Sequence, residues 1–145
     1  MLVSKLMNSN VVFLTPDDTA SRAAKLLMRH DIGSLPVCSK DGHLRGFITD
    51  RDIALRCAAL DNPPEETKLR EIMTRGIVSI SPEDDIQTAL RLMSKEQIHR
   101  LPVTQNSRIV GMLSLSDILL RGNCKSEISR TLTEIVIPRK RYKHR

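Results

Sequence analysis

Tryptophan is absent, and the aromatic set is only Phe13, Phe47 and Tyr142. That scarcity argues against a base-stacking platform for single-stranded nucleic acid and against an aromatic cage for a quaternary amine. Apolar runs are short: those at residues 11–14 and 57–60 fall far below the roughly 18 residues a membrane-spanning helix needs. No charged-then-apolar signal segment opens the chain, so a cytoplasmic protein with no membrane association is expected. The three cysteines, Cys38, Cys57 and Cys124, have neither CxxC nor metal-ligand spacing. Neither a disulfide framework nor a metal site is therefore expected, and a reducing compartment fits. No P-loop, GxGxxG, HExxH or nucleophile elbow occurs. A chain of 145 residues is one domain, or two halves each too small to bury an adequate core alone.

Acidic residues are outnumbered, giving a formal net charge of +6. Five of those charges sit in Arg139, Lys140, Arg141, Lys143 and Arg145, leaving +1 for residues 1–138. The body is nearly neutral and the basic tail, 139–145, has no apolar face to bury. A solubilising tail is the favoured reading; weak, salt-sensitive attachment to nucleic acid or another anionic surface is the alternative.

What the chain does have is an internal repeat. A shift of 66 positions superposes residues 7–37 on 73–103, with identities at Met7/Met73, Val12/Val78, Pro16/Pro82, Asp18/Asp84, Ala23/Ala89, Leu26/Leu92, Ile32/Ile98, Leu35/Leu101, Pro36/Pro102 and Val37/Val103. A shift of 65 then aligns Gly46 and Thr49-Asp50-Arg51-Asp52-Ile53 with Gly111 and Ser114-Leu115-Ser116-Asp117-Ile118.

Each copy reads as β-α-β-β-α. A short strand (11–14; 77–80) leads into a helix-start signature, Thr15-Pro16-Asp17-Asp18 or Ser81-Pro82-Glu83-Asp84. The helix that follows has apolar residues at three- and four-residue spacing. A hairpin then opens with Leu35-Pro36-Val37 or Leu101-Pro102-Val103 and returns into a second helix at Thr49 or Ser114. Residues 61–68, polar and proline-broken, are expected to be a linker between repeat 1 (1–60) and repeat 2 (69–122). Residues 123–138 are a closing segment, a short helix or strand.

Chemistry is expected at the second strand-to-helix junction, where a helix start presents unpaired N–H groups that favour an anion. Thr49 and Ser114 lie there, each followed one turn later by a carboxylate, Asp52 or Asp117. A carboxylate can accept both hydroxyls of a vicinal diol while neighbouring donors hold a phosphate, the two groups a ribose 5′-phosphate offers. Ser/Thr followed by Asp is also ordinary helix capping. Repetition in register behind Gly46 and Gly111 shifts the balance toward a site.

With these motifs, Asp31-Ile32-Gly33-Ser34-Leu35-Pro36-Val37 and Ile98-His99-Arg100-Leu101-Pro102-Val103 included, residues 3–122 resemble tandem CBS domains, the Bateman module. The resemblance implies an α+β fold of two βαββα repeats packed about a pseudo-twofold axis, with two clefts for adenosine-containing ligands. It implies one cleft centred on Asp117 as ribose carboxylate, with Ser114 and Ser116 near ribose or phosphate and His99 and Arg100 on phosphate. Its adenine wall would be Ser9, Asn10, Val11, Ile32 and Gly33, with Ser4 at the edge. The mirror cleft would use Thr49, Arg51 and Asp52, with Gly76, Ile77 and Ile98 at the base and Arg70 or Arg75 near phosphate. Because Gly33-Ser34 stands where the second copy has His99-Arg100, the Asp117 cleft ranks first. Arginine's planar donor fork suits a phosphate.

The expected function is that of a free-standing regulatory sensor with no obligatory cofactor, which binds AMP, ADP, ATP or another adenosyl ligand as effector. It would act as a homodimer and pass occupancy to a regulated protein that the sequence does not name. The alternative is an interaction protein tethered by its basic tail, its clefts structural. A hydrolase is disfavoured: Thr49 or Ser114 as nucleophile would need a base, and His99 is better explained as a phosphate contact.

Overall fold

The computed structural model describes residues 1–138; the basic tail at 139–145 lies outside the described residues. Helices and strands are mixed, with two small sheets, each a two-stranded hairpin. In chain order the elements are α1 (Val3–Leu6), α2 (Ala20–His30), β1 (Ser34–Cys38), β2 (Leu44–Thr49), α3 (Asp50–Arg56), α4 (Leu69–Ile72), α5 (Ile86–Glu96), β3 (Arg100–Gln105), β4 (Arg108–Ser114), α6 (Leu115–Arg121) and α7 (Lys125–Val136). One 3-10 turn, Ala58–Leu60, follows α3.

These elements form two compact units that do not coincide with the sequence repeats. Among the described residues, unit 1 comprises Met1–Ser9, Ser79–Val103 and residues 111–138; unit 2 comprises Asn10–Val78 and Thr104–Val110. The opening helix of each repeat thus folds with the other repeat's helices and hairpin.

In unit 2 the core gathers Leu14, Ala20, Ala23 and Leu27 with Leu35, Val37 and Ile48 of the hairpin and Leu69, Ile72 and Met73 around α4. The α4 backbone is tied down where Leu69 N–H donates to the Asp18 carbonyl at 2.9 Å and Arg70 N–H to that of Pro16 at 3.0 Å. In β1 and β2, paired antiparallel, Ser34 lies opposite Thr49 and Leu35 opposite Ile48. Past α4, Thr74 and Phe47 exchange backbone hydrogen bonds of 2.8 and 2.9 Å. Only glycine fits at Gly46: a Cβ there would stand 2.5 Å from the Thr74 carbonyl oxygen.

Unit 1 repeats this plan. Val3 N–H donates to the Asp84 carbonyl at 2.8 Å and Ser4 N–H to that of Pro82 at 3.0 Å, while Asn8 and Met112 exchange bonds of 2.8 and 2.9 Å. A Cβ on Gly111 would meet the Met7 sulfur at 2.7 Å.

Several expectations are corrected. The strands at 11–14 and 77–80 shrink to single parallel bridges, Leu14 to Val37 and Ile80 to Val103. Pro16 and Pro82, two residues on, lack the N–H that would extend either ladder. Pro16 and Pro82 do not sit inside the helices either. Thr15 N–H donates to Asp18 Oδ2 at 2.8 Å and Ser81 N–H to Asp84 Oδ2 at 3.0 Å, closing a turn ahead of each helix. The caps are Thr19 on Arg22 N–H and Asp85 on Gln87 N–H. The Gln87 bond, above all, holds the Asp85 carboxyl below its ordinary range.

The segment at 61–68, expected as the linker, is anchored on α2. Its carbonyls at Thr67 and Pro64 accept from Ala20 and Ser21 at 2.8 and 3.0 Å, satisfying the start of α2. Thr67 itself is buried, its hydroxyl on the Pro63 carbonyl at 2.8 Å. The closing segment is a helix, α7, which buries Ile128 and Thr131 and leaves Leu132 and Val136 exposed. Gln97 Nε2 donates to the Glu134 carbonyl at 2.9 Å and the Ile137 carbonyl at 2.5 Å, so a side chain next to α5 caps the end of α7.

Candidate functional site

Both strand-to-helix junctions are capping boxes. In unit 1, Asp117 N–H donates to Ser114 Oγ at 3.0 Å and Ser114 N–H to Asp117 Oδ2 at 3.0 Å. In unit 2, Asp52 N–H donates to Thr49 Oγ1 at 2.9 Å and Thr49 N–H to Asp52 Oδ2 at 3.1 Å. Capping and ligand binding are compatible in principle, because a carboxylate has about four lone-pair positions and the cap occupies one.

The carboxylates differ in what else they meet. Asp117 keeps 30% of its side chain exposed, with Arg121 Nη2 at 3.5 Å from Oδ1. Asp52 is 2% exposed; Thr74 Oγ1 donates at 3.2 and 3.1 Å to its two oxygens, and Arg56 Nη1 stands 3.8 Å from Oδ1.

Unit 1 brings His99 to the same turn, since Leu115 N–H donates to the His99 carbonyl at 2.8 Å. His99 and Ser116 are exposed, while Arg100 and Ser114 are half-buried. With the amides of Leu115 and Asp117 both engaged, the start of α6 offers an anion less than its sequence suggested. Ser4 and Ser9, both exposed, belong to this unit with Asp117 rather than to the opposite one.

Asn10, Val11, Ile32 and Gly33 belong to unit 2, as do Thr49, Arg51, Asp52, Arg70, Arg75, Gly76 and Ile77. Ile98 belongs to unit 1 and is half-buried. Arg51 is exposed. Arg70, expected near phosphate, pairs instead with Asp17, and Arg75 Nη2 donates to the Arg70 carbonyl at 3.1 Å. Gly76 turns the chain with φ of 67°.

Two residues outside the expected set organise these junctions. Arg56 Nη1 donates to the carbonyls of Ile72 and Met73 at 3.1 and 3.3 Å, and Arg121 Nη2 donates to that of Leu6. Each arginine therefore joins its carboxylate to the end of the short helix beside it. The same 65-residue shift that pairs Asp52 with Asp117 also pairs Arg56 with Arg121, so the signal was present.

A separate groove of about 420 Å³ runs between α5 and α7, lined by Leu90, Arg91, Lys95, Glu127, Arg130 and Glu134 among others. It is open and carries charges of both signs. Among the described residues, no cluster of three His, Cys, Asp or Glu side chains could hold a metal ion. None of the described helices is long and apolar enough to cross a membrane.

A duplicated hairpin-and-helix unit, each copy ending in a capped Asp, defines the class, and sequence comparison gives the family. The CBS domain model matches residues 3–58 and 69–122. The chain belongs to the CBS domain family and carries two such domains. It is 34% identical over 133 residues to the CBS domain-containing protein YhcV of Bacillus subtilis, covering 92% of this chain and 94% of that one. The crystal structure of hypoxic response protein I with two coordinated zinc ions superposes with a TM-score of 0.77 at 30% identity, over 83% of this chain and 98% of the other. The CBS domain pair of protein MJ0100, in complex with 5′-methylthioadenosine and S-adenosyl-L-methionine, gives 0.72 at 29% identity over 83% and 98%.

Proposed function

We propose that this chain is a regulatory module that binds an adenosine-containing small molecule through Asp117 and transmits occupancy to a partner protein. The observation that carries the reading is the Asp117 carboxylate, 30% exposed on the first turn of α6, the turn whose Leu115 amide holds the His99 carbonyl. Its remaining lone pairs suit the two hydroxyls of a ribose, and the side chains of His99 and Arg100, whose backbone meets the same turn, suit a phosphate. The ligands named for the MJ0100 pair, both adenosyl compounds, support the ligand class. AMP, ADP, ATP and S-adenosyl-L-methionine are the candidates.

Occupancy regulates only if the ligand favours one conformational state of the protein over another. A second copy of the chain, or a separate protein, reads that state; in solution we expect a homodimer, detectable by sedimentation. The exposed Leu120, 80% accessible at the end of α6, supports an associating surface. Cytoplasmic location and the absence of catalysis belong to the same proposal.

Thermal denaturation with AMP, ADP, ATP, S-adenosyl-L-methionine, NAD and cyclic di-AMP tests it. A binder present at 100 times its Kd stabilises by about 2.7 kcal/mol. At least one adenosyl ligand should raise the melting temperature of the native chain and not that of Asp117→Ala. Equal stabilisation of both would reject the site.

A further inference from the structure

The two junctions share one motif but not one state. Thr74 follows α4, and its backbone is clamped to Phe47 by two hydrogen bonds, so its position is fixed by unit 2 itself. From there its hydroxyl meets both carboxylate oxygens of Asp52 at 3.1–3.2 Å, the approach a ribose hydroxyl would make. Thr49 N–H and Arg56 attend the same carboxylate, and the outcome is 2% exposure. In unit 1 the corresponding carboxylate, Asp117, remains 30% exposed.

We propose that Thr74 seals Asp52 as an internal substitute for a ligand hydroxyl, so that the chain binds one adenosyl ligand rather than two. Asp52 is then a positioning residue that links α3 to the segment after α4. A buried carboxylate with three kinds of donor exchanges them for a diol only by giving up satisfied bonds, which disfavours a second ligand. Arg70, which would have served that second ligand, is consistent with this: its guanidinium is paired with Asp17. The inference rests on the functional reading above for the open site, and on the unit 2 geometry alone for the sealed one.

Calorimetric titration of AMP and S-adenosyl-L-methionine into the full chain, its Asp52→Asn variant and its Asp117→Asn variant tests it, with melting temperatures recorded for each. One equivalent per chain is expected, lost in Asp117→Asn and retained in Asp52→Asn, with Asp52→Asn melting several degrees lower. Two equivalents in the native chain, or one equivalent lost in Asp52→Asn and kept in Asp117→Asn, overturns the proposal. Should Asp52→Asn fail to fold, Thr74→Ser and Thr74→Val decide. The serine, which keeps the hydroxyl, should melt close to the native chain, and the valine several degrees below it; a valine variant as stable as the serine one overturns the seal. If neither compound binds the native chain, the functional reading fails, and the same serine and valine melting comparison still decides whether Thr74 seals Asp52.

Discussion

The amide of Leu115 donates to the carbonyl of His99 at 2.8 Å, and 65 to 66 residues earlier Asp50 does the same to Gly33 at 3.0 Å. One backbone bond therefore places whatever follows the first helix of a repeat against the first turn of the second. In unit 1 that is a His-Arg pair beside Asp117; in unit 2 it is Gly33-Ser34 beside Asp52.

This division predicts how the ligand's phosphate is recognised. Arg100→Ala should weaken AMP by about 10- to 100-fold, the loss of one charge-assisted hydrogen bond of roughly 1.5–3 kcal/mol. Binding of unphosphorylated adenosine should change by less than about threefold. Titration of both compounds into both proteins measures the difference; equal losses would remove Arg100 from the phosphate.

Gly46 and Gly111 were legible as repeated glycines, but their role is spatial. At Gly46 the intruding atom is a backbone oxygen at 2.5 Å, whereas at Gly111 the nearest is the flexible Met7 sulfur at 2.7 Å. Gly46→Ala should therefore lose about 1–3 kcal/mol in urea denaturation, and Gly111→Ala less, because a methionine can move aside.

Arg56 is half-exposed, yet it serves two carbonyls and stands near the buried Asp52. Arg56→Ala should destabilise by about 1–3 kcal/mol in chemical denaturation, since it leaves buried acceptors short of a donor. A change within about 0.5 kcal/mol, as for an ordinary surface substitution, would show that water replaces it.

Burial pushes the Cys38 thiol from 9.0 up to about 12. Between those values the unfolded chain releases a proton that the folded chain keeps, so stability is intact below pH 9 and falls as pH rises through that window. The urea midpoint should drop between pH 8 and pH 10.5, and drop less in Cys38→Ala. Parallel pH dependences in the two proteins would assign the loss to other groups.

The repeat made most of this architecture legible, because two copies of a hairpin and its flanking helices announce themselves by register. What escaped was the exchange of opening helices: Met7/Met73 identity marks equivalent positions but not which hairpin each will cross. The helix ends were obscured for a local reason. Asp31 and Gln97 close α2 and α5 in the left-handed conformation, a place where glycine is the usual signal. In the site, Ser114 and Asp117 read identically to Thr49 and Asp52 from sequence. The cover on Asp52 comes from Thr74, 22 residues beyond it, which spacing alone does not bring near.

A crystal structure of the chain grown with AMP or S-adenosyl-L-methionine examines the central claim most directly. The account predicts electron density for one adenosyl molecule per chain, its ribose hydroxyls within hydrogen-bond distance of the Asp117 carboxylate and, for AMP, its phosphate against His99 and Arg100. Ligand bound instead in the groove between α5 and α7, or a ribose seated on Asp52 with Asp117 untouched, would contradict it.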